Sequence, residues 1–321
     1  MSKSEKAWLI TAASLVLIGF ILFGGVMTML KWDFTKLSTQ QPETNSYEIN
    51  ENYQNISIVS DTADIVFVSS ENSKHSVECY ELKNIKHSVR VRDNTLIIEL
   101  VDSRKWYERI GVNFGASKIT VHIPQGEYGS LSIRSSTSDM KIPNDFKFSS
   151  IDISSSTGDV TNYASALEGV KIKTTTGNIY TEGISAGSLE LSVSTGKVVA
   201  SDIVCDGDVS VNVSTGKTYL TNITCESVMS SGSTGDISLK NVIAAENFSI
   251  ERTTGDVSFD GSDAAEIFVE TDTGNVVGTL LSEKVFVVNT DTGKKEVPET
   301  LSGGRCKITT STGNIRINLQ K

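Results

Sequence analysis

The sequence has little of what most site chemistry needs. Its four cysteines, Cys79, Cys205, Cys225 and Cys306, lie far apart and form no C-x-x-C pair, which argues against a zinc site or a redox motif. There are only three histidines, His75, His87 and His122. None has a serine or cysteine partner in a recognisable nucleophile motif, so no catalytic triad is suggested. Basic residues number 29 against 39 acidic ones, for a net charge of −10. Phosphate binding needs clustered Lys and Arg, so nucleic acid is not an expected partner. The calcium-binding pattern Gly-Gly-x-Gly-x-Asp is missing as well. The sequence therefore gives no reason to expect an enzyme, a cofactor or a metal.

What it does have begins with a hydrophobic run. Residues 7–30, AWLITAASLVLIGFILFGGVMTML, carry no charge. As a helix they would extend about 36 Å, against about 30 Å of bilayer hydrocarbon. A signal peptide would have a shorter apolar region followed by a small-residue cleavage site. Here Met29-Leu30-Lys31-Trp32 follows, without a lipobox cysteine, so an uncleaved transmembrane anchor is the preferred reading. Residues 1–6 precede it as a short tail, and residues 31–54 read as a polar linker. Lysines flank the run on both sides, so charge alone does not set its orientation.

A repeat organises the rest. Thr-Gly recurs at Gly158, Gly177, Gly196, Gly216, Gly235, Gly255, Gly274, Gly293 and Gly313, every 19 or 20 residues. Thr137-Ser138-Asp139 and Thr62-Ala63-Asp64 are degenerate earlier copies. With Gly as position 0, positions −7 and −5 are apolar almost throughout, as in Ile151 and Ile153, Val170 and Ile172, or Leu189 and Leu191; Ser230 is the break. Apolar residues two apart describe a strand with one buried face. The pattern resumes at +2 and +4 with its phase shifted by one, so the chain turns at the Gly. Position +6 (Asn144, Gly183, Asp202, Asn222, Asn241, Gly261) has residue types that enter the left-handed region and predicts a second corner. Position +9 holds Leu167, Ala186, Cys205, Cys225, Ala244 and Ala264, read as small core residues, with Cys205 and Cys225 in successive coils. A length-tolerant third corner follows.

Three sides and three corners per repeat describe one coil of a right-handed parallel β-helix, each coil stacking on the next at about 4.8 Å. The fold class is thus all-β, a solenoid preceded by one transmembrane helix, with the repeats over residues 131–321. Residues 55–130 form an N-terminal β unit in which a first coil (55–68) is followed by an insertion. Strands are expected there near His75–Glu81, Ser88–Arg92, Thr95–Val101 and Lys118–Ile123, capping the stack. A propeller blade would need about 40 residues and does not fit the period.

These features resemble the domain-of-unknown-function 4097 family of candidate adhesins with β-strand repeats. The residues that carry the resemblance are Ser60-Asp61-Thr62-Ala63-Asp64-Ile65, Lys118-Ile119-Thr120-Val121-His122-Ile123-Pro124, Leu131-Ser132-Ile133 and the Thr-Gly repeats, together covering residues 50–321. The resemblance implies a β-helix body, a bacterial envelope location outside the cytoplasm, and no established activity.

Three surfaces are candidates for function. Position +1 stacks polar residues, among them Asp236 and Asp256; with Asp272 and Asp291 these could pair carboxylates as in a carbohydrate-active β-helix enzyme, or hold calcium weakly. The favoured reading is a polar corner. The Thr column could line a flat binding face, although hydroxyls bonding the backbone or their stack neighbours is the simpler role. The stretch Arg104, Trp106, Tyr107 and Arg109 has the composition of a contact loop. The expected function is a membrane-anchored structural or adhesin-like binding surface, or an envelope-sensing accessory. Its partners would be the membrane through residues 7–30 and either another envelope protein or a cell-wall glycan.

Overall fold

In a computed structural model, residues 2–33, 42–71, 73–104 and 117–320 are described. The helix Lys3–Met29 opens the chain, and a capping box joins the Ser2 side chain to the Glu5 backbone and the Glu5 side chain to the Ser2 backbone. It is long and apolar enough to cross a membrane, and its most apolar stretch is exposed, while Met27 near its end is buried.

The body is a parallel β-helix. Equivalent residues of successive repeats lie side by side in parallel register: Ile153 pairs with Ile133 and Ile172, and Ile172 with Leu191. Position +2 does the same from Met140 through Val160 to Ile179 and Val198. The buried −7, −5 and +2 residues, with Ile184, Ile203, Ile223 and Val242 at +7, form one continuous core along the rod, whereas Leu281, at the same +7 place by spacing, is exposed. Burying such a side chain contributes roughly 1.5–3 kcal/mol, and in a solenoid half of its neighbours come from the next coils, so no coil is stable alone.

The corners explain the residues that mark them. At the first corner a Cβ on Gly177, Gly196, Gly216, Gly235 or Gly255 would fall within 1.6–2.1 Å of the preceding coil's Gly carbonyl oxygen, and φ there is +126° to +148°. At the second corner Asp202, Asn222 and Asn241 adopt φ of 50–55°, and their side chains form a ladder: Asn222 Nδ2 donates to Asp202 (2.8 Å) and Asn241 Nδ2 to Asn222 (3.0 Å).

Two sequence readings need correction. Leu167 does not occupy the buried +9 column; it is 81% exposed, and Ala166 pairs with Ala186 in its place. That coil is one residue shorter at its second corner, where Asn162 is buried and clasps Ala164 through both backbone groups instead of a left-handed residue. The coils also do not all stack in chain order. Next to Ile267 on the core side lies Cys306, and Phe286 lies beyond it. The last coil, Gly304–Thr312 with Ile315–Leu319, is therefore inserted between the coil of Gly274 and the coil of Gly293. The other end repeats the device. Strand Asn55–Val59 lies between Gly126–Thr137 and the later strand Thr95–Asp102. Ala63–Ser69 pairs with Ser117–Ile123 on one side and, through Ile65 and Val66, with Met140–Ile142 on the other.

Antiparallel strands close the N-terminal end. Ile85–Arg92 covers Thr95–Asp102, His75–Leu82 covers Ser117–Ile123, and Pro42–Ile49 pairs with His75–Leu82. Pro42–Ile49 falls in the stretch read as a linker; its inward residues are only half-buried up to Ile49, so it has no strong apolar alternation to announce it.

Candidate functional site

The predicted polar columns acquire definite roles. Along +1, each side chain accepts the backbone N–H of the next coil: Asp64 from Asp139 (3.0 Å), Asp139 from Asp159 (2.8 Å), Asp159 from Asn178 (2.8 Å) and Asn178 from Lys197 (3.1 Å). The ladder resumes with Asp236 from Asp256 (3.2 Å), Asp256 from Asn275 (2.7 Å), Asn275 from Asn314 (2.9 Å) and Asn314 from Lys294 (2.9 Å), following the swapped coil order. Asp236 is also paired with Lys217 at 2.9 Å, which together with the Asp256 N–H holds its carboxyl below the usual range. These carboxylates bond backbone N–H groups along the stack, the role expected of a polar corner. Asp64, Asp139 and Asp159 also line one open surface depression.

The Thr column is different. Residues Thr137, Thr157, Thr176, Thr195, Thr215, Thr234, Thr254, Thr273, Thr312 and Thr292 follow one another in register, and all are exposed. Among the described residues only Thr292 spends its hydroxyl within the column, on Thr312 and the Ser311 carbonyl (both 3.4 Å). Position −2 runs beside it with Ser156, Thr175, Ser194, Ser214, Ser233 and Thr253, exposed except for the half-buried Ser214. The first corner therefore presents a ridge with one unbroken column of threonine hydroxyls and, beside it, a column of hydroxyls interrupted by the exposed Asp272 and Asp291, at the pitch of the strands. The Thr side chains are β-branched and stiff at χ1, so the array is pre-ordered.

The third corner carries a half-open groove of about 340 Å³ lined by Tyr128, Phe148 and the exposed Leu167, with Glu127, Lys147 and Asp206 at its margins. Tyr128 and Phe148 have ring centroids 5.9 Å apart. Of the contact-loop residues, Arg104 is described. It donates Nε and a terminal nitrogen to the Asp102 carboxylate at 2.9 and 2.8 Å, so its fork is occupied. Trp106, Tyr107 and Arg109 lie outside the described residues.

Inside the N-terminal cap is a polar chain that the sequence did not announce. Ser60 Oγ lies 3.1 Å from His87 Nε2, and His87 Nδ1 lies 2.8 Å from Glu81; Glu81 also accepts the His87 backbone N–H (2.7 Å) and Asn45 Nδ2 (2.8 Å). The connectivity is that of a nucleophile, base and carboxylate, but all three are buried, Ser60 at 7% exposure, and among the described residues they do not line the larger grooves. Ser60 sits at position −3, where in other coils Thr174, Thr271, Thr290 and Thr310 point inward and donate to a corner Gly carbonyl. His87 takes the place of that acceptor at the end of the column. Cys79 completes a group whose ligand atoms lie within 4.8 Å of one another. His87 and Glu81, however, approach more closely than the roughly 3.3 Å that two ligands of tetrahedral zinc would keep, and burial pushes the Cys79 thiol up to about 12. The arrangement is that of a satisfied hydrogen-bond network. Only the spacing of Cys79 and Glu81 on one strand face hinted at it, and nothing in the sequence pairs either with His87.

The Ser230 break has a similar origin. Arg252, buried at position −3, reaches across the core to the Val213 carbonyl (2.8 Å), Thr218 (3.2 Å) and Ser230 (3.4 Å). Gly232 leaves the room: a Cβ there would meet the guanidinium at 1.7 Å. It makes no ion pair among the described residues, although Glu270 and Asp272 line the same surface depression, and burial lowers its pKa.

A family described as Toastrack DUF4097 matches residues 53–206 and 203–321. No curated protein matches the chain. Among solved structures, the chain is similar to a candidate adhesin from Bacteroides fragilis, at 16% identity over 88% of this chain and 99% of that one with a TM-score of 0.38. It is also similar to a candidate adhesin from Parabacteroides merdae, at 13% identity over 88% and 98% with a TM-score of 0.41. A candidate lipid-binding protein from Parabacteroides distasonis matches at 14% identity over 75% and 98%, with a TM-score of 0.34.

Proposed function

The chain belongs to the Toastrack DUF4097 family, and from that premise we propose that it is a non-catalytic binding protein, anchored by its apolar helix, whose β-helix stands outside the cytoplasm. Its ligand in this reading is a long, hydroxyl-rich polymer of the cell-wall glycan class, held along the first-corner ridge. The observation that carries the reading is the ridge itself: ten exposed, in-register threonines flanked by a second, interrupted hydroxyl column. Each hydroxyl offers one donor and two acceptor positions. Stiff threonines lose little side-chain freedom on binding, and a polymer that engages many equivalent sites gains avidity from contacts that are individually weak. Support for the non-catalytic part is the engagement of the +1 carboxylates with backbone N–H groups.

The test is co-sedimentation of the detergent-solubilised full chain with insoluble cell-wall glycan. Thr195→Val, Thr215→Val and Thr234→Val together remove three central hydroxyls while keeping shape and β-branching. Binding at least tenfold weaker, with the melting temperature unchanged, is expected. Undiminished binding by the triple variant sinks the ridge as the contact surface, and release of soluble saccharides during the assay sinks the non-catalytic reading.

A further inference from the structure

We propose that the C-terminal end of the β-helix is a self-association surface, where a second copy of this chain pairs with the edge strand Lys284–Thr292 across a two-fold axis. The two ends of the rod are unequal. At the N-terminal end the outermost strands are antiparallel covers that carry charge: Lys86, Arg90 and Arg92 on Ile85–Arg92, and Pro42, Glu43 and Glu48 on Pro42–Ile49. Charge and proline on an edge discourage pairing with another chain. At the C-terminal end Lys284–Thr292 pairs, among the described residues, only with Gly304–Thr312; Thr300 Oγ1 donates to the Lys284 carbonyl, and no other strand pairs with this edge.

This open edge is apolar where it should be guarded. Val285-Phe286-Val287-Val288 runs without a charge; Val285 and Val287 are 40% and 46% exposed, and the core-facing Phe286 and Val288 are only half-buried. Leu281 and the fully exposed Leu301 are nearby in the chain, in the connections that flank this coil. A row of unpaired backbone groups with apolar side chains is a template for strand addition, and an apolar patch of this kind marks an interaction site.

The occupant follows from the rod. Head-to-tail stacking is disfavoured, because among the described residues the outermost strands at the N-terminal end, Pro42–Ile49 and Ile85–Arg92, are antiparallel, and only the short segment Gly126–Tyr128 has a parallel neighbour on one side alone. The surface that matches a coil's cross-section, with a free strand edge at the same place, is another copy's C-terminal end. A two-fold axis through Val287 sets Val287 against itself, Phe286 against the partner's Val288 and Lys284 against the partner's Thr290. Within residues 284–290 the only charge is Lys284, so no like charges meet there; one position further out Glu283 faces the partner's Asp291, which confines the paired segment to residues 284–290. Such an isologous contact closes at two copies and does not propagate into a filament.

Cysteine cross-linking tests this directly, since all four native thiols are buried. In the detergent-solubilised full chain, Val287→Cys under mild oxidation is expected to give a covalent dimer at several times the yield of Arg90→Cys, which reports the N-terminal end and any association through the helix. Val287→Lys is expected to weaken dimerisation at least tenfold by sedimentation without lowering the melting temperature. Equal cross-linking of the two cysteine variants, or a monomeric parent chain, would overturn the proposal.

Discussion

Two glycines with positive φ offer a clean test of why the repeat is marked by Gly. Gly216 stands at the first corner with φ +141°, and a Cβ there would lie 1.6 Å from the Gly196 carbonyl oxygen. Gly183 stands at the second corner of another coil with φ +67° and nothing within 4 Å of its Cβ position. Both changes to Ala oppose the backbone. For Gly183→Ala the left-handed conformation costs about 1–2 kcal/mol, offset by about 0.4–1 kcal/mol because Ala is less free in the unfolded chain. The net expectation is about 1 kcal/mol.

Gly216→Ala carries a conformational cost of the same kind and a clash that nothing flexible can relieve. The obstructing atom is main chain, fixed by a stack in which Gly196 donates to Thr215 (3.0 Å) and Gly216 to Thr234 (2.8 Å). Relief requires two coils to part. Overpacking of this sort costs about 1–3 kcal/mol, and each backbone hydrogen bond lost adds about 1 kcal/mol. The total is about 3–5 kcal/mol. At roughly 2–4 °C per kcal/mol for a body of this size, Gly216→Ala should melt roughly 5–15 °C below Gly183→Ala in circular dichroism of the full chain in detergent. Amide exchange should also speed up selectively in the coils on either side of residue 216, because a solenoid transmits stability through neighbouring coils. Equal melting points for the two variants would refute the close-approach explanation and leave only the φ requirement.

Other consequences are as specific. Glu81→Ala removes the acceptor of three donors in the N-terminal cap and should cost about 3–5 kcal/mol, read as lost amide protection in His75–Arg92; protection equal to the parent's would contradict the network. Asp263→Ala unpairs the buried Lys284 (2.7 Å) and should cost a similar amount, with faster proteolysis in residues 297–303; an unaltered digestion pattern would argue against the pair as the tie of the last coil. Burial pushes the Cys79, Cys225 and Cys306 thiols up to about 12 and also raises that of Cys205, so a thiol reagent at pH 8 should label none of them in the native chain and all four once it is unfolded. Recovery of only two labelled thiols after non-reducing unfolding would mean that Cys205 and Cys225 are bridged.

The coil was legible in the sequence because its physics repeats. The two-residue spacing at −7 and −5 fixed the core face, the Gly fixed the first corner, and Asp202, Asn222 and Asn241 fixed the second. Exceptions were not legible where compensation came from another coil. Ser230 reads as a fault until Arg252 is seen to fill its space from 22 residues away. Leu167 reads as core until Asn162 is seen to shorten its corner by one residue. Glu81 and His87 carry no local pattern, since each is satisfied by a partner on another strand. The Thr column was seen, but its exposure could not be read from invariance alone, because a hydroxyl serving the backbone and one serving the solvent recur with the same period.

The coil order at the two ends was hidden for a deeper reason. A column of like residues pairs equally well whichever coil comes next, so periodicity is blind to permutation. Stability is not. The last coil of a solenoid stacked in sequence would be paired on one side only and would open most easily. Here the final coil, Gly304–Leu319, has neighbours on both sides: Thr273 and Thr292 flank Thr312, and the Gly313 N–H donates to Thr292 while Gly274 donates to Thr312. That coil is thereby clamped on both sides, and the exposed edge is moved to Lys284–Thr292, whose two ends are both tethered by chain. Lys284 extends the clamp, because Gly304 between it and Asp263 has no side chain to stand in the way. The permutation follows from the same requirement as the charged cover at the opposite end: an array built by stacking must finish each end by something other than another repeat.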